Sequence, residues 1–137
     1  MKRKNILVFI NFAIPLLSGL SIYLFCYENT YINTTIQKFF DISLPYFYYD
    51  NIFYHFLTCW ACDILWAYSL TFSLYSCFKN FNHSLLVSYI ISSVFALIIE
   101  LLQLFNVITG TFDILDILLE FSAIILAVII IKKEFSK

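Results

Sequence analysis

Four apolar stretches, running roughly Ile6–Tyr27, Phe53–Phe78, Ser84–Phe105 and Phe112–Ile131, take up most of this chain. Each is long enough to cross a hydrocarbon core of ~30 Å at a helical rise of ~1.5 Å per residue. The basic residues stand around them in a pattern. Lys2, Arg3 and Lys4 precede the first stretch, Lys79 separates the second from the third, and Lys132, Lys133 and Lys137 follow the fourth; only Lys38 lies elsewhere. The positive-inside rule puts all three groups in the cytoplasm. The expectation is an all-α polytopic membrane protein: one domain over 1–137, four transmembrane helices, both termini inside. Residues 28–52 and 106–111 then face outward, in a multi-pass protein of the plasma (inner) membrane whose first partner is the lipid bilayer.

Composition points the same way. The chain is 62% hydrophobic and only 12% charged, where soluble domains carry about a quarter charged residues. A net charge of −1, with no basic stripe, Gly-rich phosphate loop or zinc-finger spacing, gives no reason to expect a nucleic-acid partner. Tyr27, Tyr31, Tyr46, Tyr48, Tyr49 and Tyr54 stand near the expected boundaries, where a ring with a polar tip suits the headgroup layer. The first stretch reads as a retained span, not a cleaved signal, because it is long and no small-x-small site follows it. Pro15 and Gly19 soften it, which neighbouring helices can cover. With four spans and many exposed aromatics, self-association into a homo-oligomer is also compatible with the chain.

The connections differ in kind. After Thr30, the residues Ile32, Ile36, Phe39 and Phe40 recur at helical spacing, as in a short interfacial helix ended by Asp41 and Pro45; an irregular surface loop fits the same residues. Lys79–His83 is a short polar loop. Asn106–Thr111 contains the turn Thr109-Gly110-Thr111, after which Thr111 or Asp113 can cap the fourth span.

Chemistry concentrates in acidic residues within or beside the spans. Asp63 lies inside the second, Glu100 near the end of the third, and Asp113, Asp116 and Glu120 open the fourth. Because alternate spans run in opposite directions, all five fall in the outer half of the membrane. An Asp at the centre of a span costs ~2.5–3.5 kcal/mol on insertion scales, so such groups face a bundle interior or a wet cavity. Asp113, Asp116 and Glu120 share a helical face by their i, i+3, i+7 spacing, and Glu100 and Gln103 stand three apart. The short connection makes the third and fourth spans antiparallel neighbours. If the two stripes face each other, they form one acidic, amide-lined pocket that opens outward.

No Lys or Arg lies within a span to neutralise this pocket. Three options stay open. The carboxyls share protons, they bind a cation such as Mg²⁺ or Ca²⁺ through oxygen ligands, or they line a wet cavity for a cationic or polyhydroxyl ligand. Simpler roles exist too: Asp113 as an N-cap, Asp116 as a first-turn residue favoured by the helix dipole, Gln103 as an interhelical hydrogen-bond partner.

The stretch Glu100-Leu101-Leu102-Gln103, followed by Gly110-Thr111-Phe112-Asp113-Ile114-Leu115-Asp116, resembles the carboxy-terminal half of VanZ-like membrane proteins. In that family a Glu and a Gln three apart close one span; a turn follows, then two Asp three apart opening the next span, an Asn and a Gly. Asp63-Ile64-Leu65-Trp66-Ala67-Tyr68-Ser69-Leu70 resembles an Asp-led second-span segment of its small members. The resemblance implies a bacterial cell-envelope protein of the type linked to glycopeptide (teicoplanin) antibiotic resistance, with Glu100, Gln103, Asp113 and Asp116 at the matching positions. This chain has Gly110 where the family commonly has Arg, Glu120 for the Asn and Ala123 for the Gly. Losing the Arg removes the natural counter-ion.

Two other readings compete. A small transporter or cation-handling protein would use the same carboxyls, although the inner half offers few polar groups beyond Ser69, Thr71 and Ser73. The pair Cys59-Trp60-Ala61-Cys62, just before Asp63, resembles the C-x-x-C of DsbB-type four-span thiol oxidoreductases. Those enzymes need a second cysteine pair in the other outer loop, and Asn106–Thr111 has none. In a helix such a pair also serves simply as two small apolar residues. His55 could join Asp50 or Asp63 at a metal, or anchor the interface. His55 stands among boundary aromatics and His83 in the inner loop, so no hydrolase arrangement emerges. The sequence assigns no catalytic residue and calls for no cofactor. Asn33-Thr34-Thr35 is a formal glycosylation sequon.

Overall fold

The computed structural model describes residues 2–27, 30–108 and 111–135, with side chains from residue 6, and among them every regular element is a helix. Thr109 and Gly110 of the expected turn, Glu28 at the start of the outer segment, and Lys137 lie outside the described residues. Helix α1 spans Lys2–Cys26 and runs unbroken through Pro15 and Gly19. Helix α5 spans Ser84–Leu104 and α6 spans Ile114–Phe135. Ile6–Cys26 of α1, Ser84–Leu104 and Ile114–Phe135 are each long and apolar enough to cross a membrane.

The second apolar stretch is built differently from a plain span. It consists of α3 (Ile52–Phe56), a π-helical turn (Leu57–Ala61) and α4 (Cys62–Phe78), with right-handed backbone through both junctions. Helix α4 alone has 17 residues, short of the ~20 a membrane crossing needs. Helix α6 starts and ends later than its apolar stretch, because Asp113 lies before it and Lys132 and Lys133 continue it to Phe135.

Of the two readings open for the residues after Thr30, the helix is correct. Helix α2 spans Tyr31–Phe40; Thr30 Oγ1 accepts from the Asn33 N–H (3.1 Å), and Asp41 ends it at φ 54° with its N–H on Gln37 O. None of its residues is buried, and Tyr31, Phe39 and Phe40 stand exposed with Ile42, Tyr48 and Tyr49 beyond. The segment between α1 and α3 instead closes over the end of α1. A helix leaves its last carbonyls without partners, which is costly at membrane depth. Here Leu24 O accepts from Asn33 Nδ2 (3.0 Å), Phe25 O from Phe47 N (2.9 Å) and Cys26 O from the Tyr54 hydroxyl (2.7 Å). Asn33 of the sequon therefore holds the clasp together through its side-chain amide.

Helix α4 packs against α1, α5 and α6, and α5 packs against α6. The interior of this bundle is small and partly polar: Ala67, Ser69 and Thr71 of α4, Ser88, Ser92, Ser93 and Ala96 of α5, Ala123 and Ala127 of α6. Phe72, Ile124 and Ile131 are the large apolar side chains buried with them, while many others point outward, among them Ile90, Phe95, Ile98 and Leu101 on α5 and Leu118, Leu126 and Ile129 on α6. This inverts the pattern of a soluble core. In lipid it is the expected one, because small residues let helix backbones approach while the outer face meets acyl chains. Thr71 Oγ1 crosses from α4 to α5, donating to Ser92 Oγ (3.1 Å) or to its own helix at Ala67 O (2.9 Å). Ser92 in turn donates to Ser88 O (2.7 Å).

Helix α1 is held through polar contacts. Tyr68 donates to Asn11 Oδ1 (2.7 Å) and Ser69 to Phe12 O (2.9 Å). At Gly19 an added Cβ would sit 3.1 Å from Trp66 Cδ1, so the absence of a side chain lets the indole lie on α1.

The α4–α5 seam makes a graded prediction. Ser92→Ala should cost about 0.6 kcal/mol, the mean for interhelical hydrogen bonds in membranes. Ser92→Leu should cost ~1–3 kcal/mol by forcing the helices apart. Reversible unfolding in detergent micelles checks both, and equal stability of the two variants would contradict this packing.

Candidate functional site: a carboxyl cluster at the end of the helix seam

Each of the three packed helices carries a stripe of small residues four apart, and each stripe meets a carboxyl group. On α4 it is Asp63, Ala67, Thr71; on α5 it is Ser88, Ser92, Ala96, Glu100; on α6, Glu120 precedes Ala123 and Ala127. The same close approach that packs the helices therefore brings the acids together. Glu100 is only 4% exposed and Glu120 9%, while Asp63 and Asp116 are half-buried. Asp63, Glu100, Asp116 and Glu120 lie within electrostatic reach of one another.

Asp113 joins the edge of this cluster by its backbone. Its N–H donates to Glu100 Oε2 at 3.4 Å, across the connection between α5 and α6. Its side chain does the work of a cap: Asp113 Oδ1 accepts from the Leu115 N–H (2.9 Å), and Asp113 O accepts from Asp116 N. Gln103 is half-buried one turn beyond Glu100, and its backbone carbonyl accepts from Asn106 N (2.9 Å).

The cluster is not internally satisfied. Glu120 Oε2 is buried without a hydrogen-bond partner, a state that native interiors rarely tolerate. Helix α5 has no Lys or Arg, and α6 has none before Lys132, about three turns beyond Glu120 at its other end, so neither places a counter-ion beside the carboxyls. Among the described residues, no three His, Cys, Asp or Glu side chains are disposed to hold a metal ion.

Tyr27 belongs to this region, and sequence reasoning missed it. Its hydroxyl donates to Thr58 O inside the π-helical turn, and it lies within electrostatic reach of Cys62, Asp63 and Asp116. In sequence it looks like any other boundary tyrosine. His55 goes elsewhere: Nε2 is 3.7 Å from Asp50 Oδ1, and both side chains are largely solvent-exposed, so the pair contributes little.

Cys59 and Cys62 are free thiols in different surroundings. Cys59 is exposed, whereas Cys62 is buried with its Sγ on Gly19 O at 3.6 Å. The π-helical turn ends between them, at Ala61. Its i→i+5 bonding turns residues three apart further from one another than an α-helix would.

Comparison with family models, with curated proteins and with solved structures gives no match for this chain.

In a Cys26→Ser/Cys77→Ser background, N-ethylmaleimide should alkylate Cys59 readily and leave Cys62 protected until the protein is unfolded. Mass spectrometry of the digested protein reads both sites, and equal labelling in the native state would contradict the placement of Cys62 against α1.

Proposed function

We propose that this chain is a VanZ-like integral membrane protein of the bacterial envelope, in which the carboxyl cluster binds a cationic or polar envelope ligand. In this reading α3, the π-helical turn and α4 form the second of four spans. Both termini lie in the cytoplasm and the cluster opens to the outer face. The observation that carries it is the convergence of Asp63, Glu100, Asp116 and Glu120 from three helices with no basic partner and with Glu120 Oε2 unsatisfied. The VanZ-like part draws on the contact between Asp113 and Glu100, which joins the two halves of the motif. A buried group of like charges gains most from an occupant that neutralises it, so a positively charged or hydrogen-donating ligand suits the site.

A second reading, a small cation-handling transporter, draws on Ser93 Oγ, which is buried without a partner like Glu120 Oε2. Under that reading, purified protein in vesicles conducts a cation flux that Glu120→Gln abolishes.

The favoured reading predicts that Glu100→Gln and Asp116→Asn each raise sensitivity to teicoplanin several-fold in the native host, while Cys59→Ser leaves it at the wild-type level. Normal resistance in both acidic variants would overturn the reading; loss only in Cys59→Ser would favour thiol chemistry. Labelling of a carboxy-terminal tag only after permeabilisation is the expected topology, and labelling in intact cells would contradict it.

A further inference from the structure

At the end of the bundle opposite the carboxyls, a cavity of about 580 Å³ opens between α1, α4 and α6. That volume falls within the ~300–1,000 Å³ of small-molecule sites. Its walls are apolar, with Val8, Phe9 and Phe12 from α1 and Phe135 from α6, while Ser76 and Lys79 of the α4 end supply polar groups. The Phe135 ring leans on Tyr75 at 6.0 Å between centroids, closing one side. Among the described side chains, exposed Lys79 follows α4 and exposed Lys132 and Lys133 close α6, with Glu134 the acid beside them; in the sequence Lys2, Arg3 and Lys4 open α1. Ser76 and Lys79 give the cavity a polar, positively charged end against its apolar walls, a combination that suits an occupant greasy along its length and negatively charged at its tip.

We infer that this cavity binds one anionic phospholipid, with an acyl chain against Val8, Phe9, Phe12 and Phe135 and the phosphate on Lys79. Basic pockets at the ends of transmembrane helices select anionic headgroups by this combination of charge and groove. The inference rests on the chain crossing a bilayer. It is independent of the carboxyl cluster and of which membrane face this end occupies.

The test reconstitutes the full chain in phosphatidylcholine vesicles containing a minority of phosphatidylglycerol, extracts it in mild detergent and counts retained lipids by native mass spectrometry. One phosphatidylglycerol should be retained in preference to phosphatidylcholine. Lys79→Gln, an exposed position, should cut that preference about fivefold, the effect of one basic residue near an anionic headgroup. Ser76→Trp, which fills the cavity, should release the lipid although Lys79 remains. Retention without headgroup preference, or retention unchanged in both variants, would overturn the inference. Displacement of the lipid by excess soluble glycerol phosphate would overturn it in favour of a free-phosphate site. A chain that never enters the vesicles would instead overturn the membrane reading beneath it.

Discussion

Helices α4, α5 and α6 approach along stripes of small residues, and the polar architecture follows from that approach. Lipid offers helices no hydrophobic reason to associate, so contact depends on backbone proximity and on hydrogen bonds between side chains. Ala67 and Thr71 on α4, Ser92 and Ala96 on α5, and Ala123 and Ala127 on α6 provide both. Where the stripes reach Asp63, Glu100 and Glu120, the same geometry gathers carboxyl groups that would otherwise have repelled one another apart. Packing further along the seam, at Phe72, Ile124 and Ile131, holds the helices in place against that repulsion.

The clasp over α1 answers a second constraint. Without donors, the carbonyls of Leu24, Phe25 and Cys26 would be stranded at the membrane boundary. Asn33, Phe47 and Tyr54 satisfy them, which ties the segment between α1 and α3 down and sets Tyr27 beside the π-helical turn. That turn sits immediately before Cys62 and Asp63. π-Helical turns of this kind recur at functional sites, and here one lies beside the α4 stripe that begins with Asp63.

Much of this was legible in the amino-acid order. Hydropathy marked out α1, α5 and α6, and helical spacing after Thr30 anticipated α2. The shortness of the connection implied that α5 and α6 would be neighbours, and Glu100 and Asp113 do meet across it. The cap role open to Asp113 is the one its side chain plays. Other features were hidden for physical reasons. A π-helical turn arises from tertiary accommodation and leaves no hydropathy signature, so Leu57–Ala61 read as ordinary span. The burial of Ser88, Ser92 and Ser93 depends on which face of α5 meets α4, which hydropathy does not report. Tyr27 could not be told from the anchoring tyrosines, since its distinction is a partner 31 positions away.

The central claim is that acids from separate helices face one another inside the bundle. Cysteine cross-linking tests it most directly. In a background lacking the four native cysteines, a short bifunctional thiol reagent should join Asp63→Cys to Glu120→Cys and should fail to join Asp63→Cys to Leu118→Cys, whose position on α6 faces outward. The reverse pattern, with Leu118→Cys joined and Glu120→Cys free, would place the carboxyls toward lipid and contradict the cluster.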